Sequence, residues 1–240
     1  MDNCKNCTTT ITGKYCANCG QPAQLKRIDA HYIVHEIEHV LHFERGILYT
    51  MRELFLQPGK NIREYLSDNR SRLVKPILFI IVTSLIYSFI NHYFHIEEAY
   101  TAQLSLRKSA VTTMTDWVQK HYGYANIIMG VFIALWVKLF FRKYQYNLFE
   151  ILVMLCFVIG MGMLMFSVSA LIEGLTQIPL FLYVSVVITG YCAWAIGQFF
   201  DKTKPANFIK ALIAYILGSI TFWILLMILG IVIDLIYLKK

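Results

Sequence analysis

The chain has 240 residues, 57% of them hydrophobic, with a mean hydropathy of +0.53 and a formal charge of +7. Soluble domains are about 45–50% apolar, and the excess here lies beyond Lys75, which excludes a soluble enzyme for most of the chain. The positive charge is ordinary for a membrane protein with basic loops, and nucleic acid is not an expected partner.

The first element is a double knuckle. Cys4 and Cys7 form one C-x-x-C pair, Cys16 and Cys19 a second, and Gly20 follows. Each pair wraps two thiolates around one ion, and two pairs close a tetrahedron. Gly20 suits the tight turn that brings backbone amides toward the sulfurs. The spacing predicts a zinc ribbon over residues 1–27 with a structural Zn2+; iron would use the same four ligands. Four protein ligands leave no open position for chemistry. Zinc thiolates need a reducing compartment, so this part is expected in the cytosol. No cleavable signal peptide is visible. Cys156 and Cys192 lie in apolar runs, where cysteine serves as a small hydrophobe.

Amphipathic helices come next. Asp29 caps a helix expected to reach about Arg45, with Gly46 as its stop. Ile33, Val34, Ile37, Val40 and Leu41 share one face, and His31, His35, His39 and His42 lie within about 80° of each other on the opposite side. A second helix is expected over 47–57, stopped by Pro58 and Gly59. Asn61 to Glu64 resembles a capping box opening a third, which Ser67, Asp68 and Asn69 break. These helices are expected to lie in the membrane interface or fold under the spans.

Five spans are expected after that, at 76–94, 125–141, 148–171, 179–200 and 208–237. A polar segment at 95–124 has room for one amphipathic helix. Tight basic turns fall at 142–147 and 201–207, and a short loop at 173–177. The last apolar run spans about 45 Å as a helix, against a ~30 Å hydrocarbon core. It either tilts strongly or breaks near Gly218 and Ser219. Arg142, Lys143, Lys202 and Lys204 mark their turns as cytosolic, and the 173–177 loop, which has no basic residue, as external. With the N-terminus inside, five spans satisfy all three; Lys239 and Lys240 at an external tail run against the rule.

Two stretches carry a family resemblance: the ribbon ending at Gly20 and Gln21, and Phe43 to Gly46, Thr50 to Leu54, Pro58, Gly59, Arg63 to Leu66, Arg70, Lys75 and Pro76. Residues 1–94 resemble an uncharacterised bacterial family, domain-of-unknown-function family 3667. The family usually has glycine where Asp68 stands. The resemblance implies a zinc ribbon joined to transmembrane helices in a bacterial cytoplasmic membrane. It implies no activity, catalytic residue or ligand.

Three constellations could carry chemistry. His35, Glu36 and His39 form an H-E-x-x-H pattern, which in zinc proteases puts two imidazoles and a general base on one helix face. A third ligand is needed: His42 is not at the metzincin position, and Glu53 or Glu64 could serve only by tertiary placement. The helix is also rich in His and Glu, so a solvated polar face is the plainer reading. His31, His35, His39 and His42 also fit a second metal site or a pH sensor. Arg63, Arg70, Arg72 and Lys75 precede the first span, where the plain reading is the positive-inside signal and the sharper one an anionic headgroup site joined by Lys60 and Arg52. Charges inside the spans are few. Lys138 can snorkel, Glu150 can pair with it or with Arg142, and no charge sits clearly at mid-membrane, as a coupled carrier would require. Gly160 and Gly162 mark close helix packing.

The expected fold is therefore an all-α polytopic membrane protein, with a zinc ribbon at 1–27, juxtamembrane amphipathic helices at 28–75 and a transmembrane bundle at 76–240. The expected role is non-enzymatic: an adaptor, assembly or regulatory protein acting in the bilayer with a protein partner or as a homo-oligomer. A small-molecule or lipid transporter is the second reading, and a membrane zinc metalloprotease using the histidine motif the third.

Overall fold

The computed structural model describes residues 9–10, 13, 15, 17–18, 46–68, 72–96 and 110–238. The chain divides into two compact units, Met1–Glu44 and Arg45–Lys240. Among the described residues the regular elements are all helices. In the second unit they are α1 (Ile47–Leu56), α2 (Pro58–Ser67), α3 (Pro76–Phe94), α4 (Ala110–Lys120), α5 (Tyr122–Phe140), α6 (Leu148–Thr176), α7 (Phe181–Asp201) and α8 (Pro205–Leu238). A single 3-10 turn, Arg142–Tyr144, joins α5 to α6. Helices α3, α5, α6, α7 and α8 are long and apolar enough to cross a membrane. They fit a multi-pass membrane protein whose apolar flanks contact the bilayer.

Helix α6 is the centre of the bundle. It packs against α3, α5 and α7, and 67% of its most apolar window is buried, against 17% for α8. Its start is set locally: the Asn147 side chain accepts from the Glu150 N–H at 2.9 Å, while the Glu150 carboxylate accepts from the Asn147 N–H at 2.7 Å. This reciprocal capping box is what Glu150 does, rather than pairing with Lys138 or Arg142. Lys138 instead donates to the Tyr146 carbonyl in the adjoining turn. Further along, Gly160 lies beneath the Phe79 ring of α3 and Gly162 beside Ile188 of α7. Both mark close packing, as expected.

Several boundaries differ from expectation, and the largest differences have causes in the tertiary fold. Helix α2 begins at Pro58, not at Asn61. Proline at the first helical position costs no hydrogen bond, and Asn61 sits inside the helix, donating to the carbonyls of Glu53 and Gln57 at 2.9 and 3.0 Å. Helix α6 continues through the expected 173–177 loop to Thr176 and ends on Gln177 at φ 59°. The Glu173 carboxylate accepts from the N–H groups of Leu180 and Phe181 at 3.0 and 2.9 Å, so it caps the start of α7 from one turn before the end of α6. Helix α5 begins at Tyr122, three residues early. Helix α8 begins at Pro205, also three residues early, and of its two expected forms it takes the unbroken one, continuous through Gly218 over 34 residues, about 51 Å.

That continuity has a packing cause. Gly218 lies on the α5 backbone, where an added Cβ would stand 2.4 Å from Ile133 Cα. The glycine serves close approach, not a hinge. Trp136 also donates to Thr221 across this crossing at 3.0 Å. Beyond it, Phe222 and Leu226 meet Val118 of α4. The expected amphipathic helix of the 95–124 segment is thus α4, which covers one side of the surplus length of α8.

Candidate functional site

The charged and polar side chains that sequence singles out near the first span converge at one end of the bundle. Helices α1 and α2 form a collar there. The turn between them is closed by Asn61, and α2 lies across the C-terminal end of α7. The last carbonyls of any helix lack partners within it, and two of those of α7 are supplied by one side chain. Arg63 Nη1 donates to the Gln198 carbonyl at 2.5 Å and the Phe199 carbonyl at 2.7 Å. A guanidinium at this position also opposes the negative end of the helix dipole.

The backbones themselves touch at the same place. Gly59 is buried, and a Cβ added to it would lie 2.3 Å from the Gln198 carbonyl carbon, 2.4 Å from its oxygen and 2.6 Å from the Phe199 nitrogen. Gly59 and Arg63 are one helical turn apart, so the close contact and the double hydrogen bond fall on one face of α2. Tyr191 adds a third tie, donating from its hydroxyl to the Leu54 carbonyl at 2.9 Å.

Arg72 gathers the other side of the collar. It donates to the Tyr49 hydroxyl at 3.0 Å, to Glu53 at 3.2 Å and to Glu64 at shorter range. The bond to Tyr49 is the main cause that lifts its pKa further above the ordinary arginine value, so Arg72 stays charged at any physiological pH. Thr50 accepts from the Val74 N–H at 3.1 Å and so fixes the chain just before α3. Lys60 stands 3.8 Å from Glu64 at the solvent edge, where a pair is worth ~0–1 kcal/mol. These groups are spent on one another and on helix ends. The arrangement can clamp helices; its two carboxylates, Glu53 and Glu64, are held by the same guanidinium.

The two basic turns lie at this same end. Asn207 donates to the Tyr144 hydroxyl at 2.8 Å and to the Asp201 carbonyl at 3.2 Å, tying the turn after α7 to the turn after α5. Phe141 and Phe200 stack at 3.9 Å between ring centres, and Tyr146 meets Phe199 at 4.6 Å. Aromatic rings gathered where apolar helices end are typical of a membrane–water boundary. The collar, the 142–147 turn and the 201–207 turn therefore share one face, as the five-span reading expects.

Of the residues proposed from sequence, Arg63 and Arg72 are engaged by protein groups, and Lys75 is exposed at the N-cap of α3. Arg70 lies outside the described residues. So do Cys4, Cys7, Cys16 and Cys19, and His31, His35, His39 and His42. Among the described residues no cluster of three or more His, Cys, Asp or Glu side chains could hold a metal. Sequence reasoning missed Gly59 as a contact, Tyr49 and Tyr191 as partners, and the C-terminal end of α7 as the thing being held. The one available signal was the Pro58, Gly59 and Arg63 spacing, which puts a small residue and a cation on one helix face.

The family model described as Protein of unknown function (DUF3667) matches residues 44–88. No curated protein and no solved structure matches the chain. The matched stretch contains Gly59, Arg63, Glu64 and Arg72, so it covers the collar and most of α3. Through this segment, which clamps the collar to the spans, the chain is similar to domain-of-unknown-function family 3667.

Proposed function

We propose that this protein is a non-enzymatic adaptor or assembly factor of the bacterial cytoplasmic membrane. Its cysteine-rich N-terminal part is cytosolic, held together by one structural Zn2+ on Cys4, Cys7, Cys16 and Cys19, and it serves as a docking module for a protein partner. The carrying observation is the clamp between the collar and α7, made by Gly59 and Arg63 from α2 and by Tyr191 reaching Leu54 of α1. A collar fixed to the spans by backbone contact and part-buried hydrogen bonds is suited to mounting a module that precedes it in the chain. Arg63, Arg72, Glu53 and Glu64 are consumed in building the mount. Zinc, when bound, would supply folding free energy to a segment too short to fold on a hydrophobic core.

The orientation follows from charge. Arg142, Lys143, Lys202 and Lys204 lie on the collar face, and basic residues favour the cytosolic side. Thiol-labelling of single cysteines at Thr203 and Gln177 in intact cells tests this: Gln177→Cys should react from outside and Thr203→Cys only after permeabilisation. Labelling of both from one side would refute the five-span arrangement. Because α8 is continuous, a cysteine placed after Lys240 should behave like Gln177→Cys.

The zinc and partner reading is tested on the full chain. Metal analysis should find one zinc per chain, lost in a Cys16→Ser, Cys19→Ser variant that still inserts in the membrane. Crosslinking in cells should give a discrete adduct that disappears both in that variant and on deletion of residues 1–27, and persists in Glu36→Gln. Metal-free wild type, or adducts indifferent to both changes, would reject the docking role. Loss of function in Glu36→Gln, with a second zinc dependent on His35 and His39, would favour the metalloprotease.

A further inference from the structure

The other end of the bundle holds a groove that the collar account does not use. It has a volume of about 400 Å³ and opens where α4 meets α5 and α8. Trp117 of α4, Ile128 and Phe132 of α5, and Phe222, Leu225 and Leu229 of α8 line it. Its walls are held in place: Val118 packs with Ala125 and Phe222, and the Phe132 and Phe222 rings are 6.1 Å apart. The groove is open on one side, runs beside two membrane-spanning helices and is bounded by a third element, α4.

The rim carries a different chemistry. Trp117 stacks on His121 at 5.0 Å between ring centres, with His121 Nδ1 3.0 Å from the Trp117 carbonyl. Lys120 and His121 are both exposed and stand three and four residues beyond Trp117, on the same helix face. Tryptophan beside a lysine is the composition of the lipid headgroup level.

We propose that this groove holds one acyl chain of an anionic phospholipid, with its phosphate at Lys120 and His121. Three features select this occupant. The wall is hydrocarbon-like throughout, as a lipid tail requires. The volume lies near the bottom of the ~300–1,000 Å³ range of enclosed ligand sites, enough for a single chain and too small for a helix of a partner protein. Lys120 on the rim complements a phosphate, and a lysine near a lipid surface favours anionic lipid by a few-fold.

Fluorescence of Trp117 tests the proposal. The probe is the full-length chain with Trp136, Trp194 and Trp223 changed to Phe, in phosphatidylcholine bilayers with a minor fraction of phosphatidylglycerol. Bromine is placed on the acyl chains of one lipid or the other. Brominated phosphatidylglycerol should quench Trp117 about fivefold more effectively per mole fraction than brominated phosphatidylcholine, the factor set by ~1 kcal/mol per basic residue. Lys120→Gln, an exposed change that leaves the fold alone, should abolish the preference. Ile128→Phe, which fills the groove, should reduce quenching by both lipids. Equal quenching by the two lipids in the parent protein would mean ordinary bilayer contact and overturn the site. A preference that survives Lys120→Gln would overturn the headgroup assignment, and undiminished quenching in a correctly inserted Ile128→Phe protein would overturn the groove.

Discussion

Replacing Gly59 by alanine is expected to detach the collar from the spans. The added methyl would stand 2.3–2.6 Å from three backbone atoms of Gln198 and Phe199. A side chain in that position could rotate aside, but a helix backbone cannot, so either α2 withdraws from α7 or both helices shift. Overpacking of a close contact costs about 1–3 kcal/mol when neighbours relax, and this contact belongs at or above the upper end. Withdrawal also breaks the two bonds from Arg63 and the bond from Tyr191 to Leu54. The midpoint of unfolding by SDS in mixed micelles should fall, and amides of 47–67 should lose protection while those of α6 keep it. Gly190→Ala is the control: nothing lies within 4 Å of a Cβ there, and its midpoint should stay with the parent.

Removing the Arg63 side chain should weaken the same joint from the other direction. Arg63→Ala leaves the carbonyls of Gln198 and Phe199 without their donor and takes a cation from the negative end of α7. An unpartnered buried acceptor costs about 1–3 kcal/mol, and two are exposed to that cost, so a loss of about 2–3 kcal/mol is expected after partial hydration. Arg63→Lys should recover only part of it, because an ammonium does not reproduce the planar fork. The substitutions at Gly59 and Arg63 act on one contact. Their effects should therefore fall well short of additive in a double-mutant cycle. Full additivity would mean that the two residues serve different structures.

The spans were legible because they need only a local property. A run of about twenty apolar residues must satisfy its own backbone in lipid, and α3, bounded by Lys75 with Pro76 and by His92 to His95, falls where composition puts it. The helix ends were less legible because their causes are distant. Glu173 looks like a loop residue until the N–H groups of Leu180 and Phe181 are beside it. Asn61 looks like a cap until the carbonyls of α1 reach it. Gly218 suggested a break, and only the Ile133 backbone shows why a glycine is there. Arg63 and Arg72 illustrate the same limit in electrostatics. A count of positive charges before a span cannot distinguish a free cation from one already bound, and the partners of Arg63 are 135 and 136 residues away.

The central claim is that α1 and α2 are a clamped part of the membrane bundle rather than a loose interfacial segment. Amide hydrogen exchange of the intact protein in lipid nanodiscs tests it most directly. The clamp predicts that residues 47–67 exchange slowly, on the timescale of the buried middle of α6, and that Gly59→Ala accelerates that stretch by orders of magnitude while α6 is unchanged. Rapid exchange of 47–67 in the unaltered protein, matching an amphipathic helix lying free on the membrane surface and insensitive to Gly59→Ala, would contradict it.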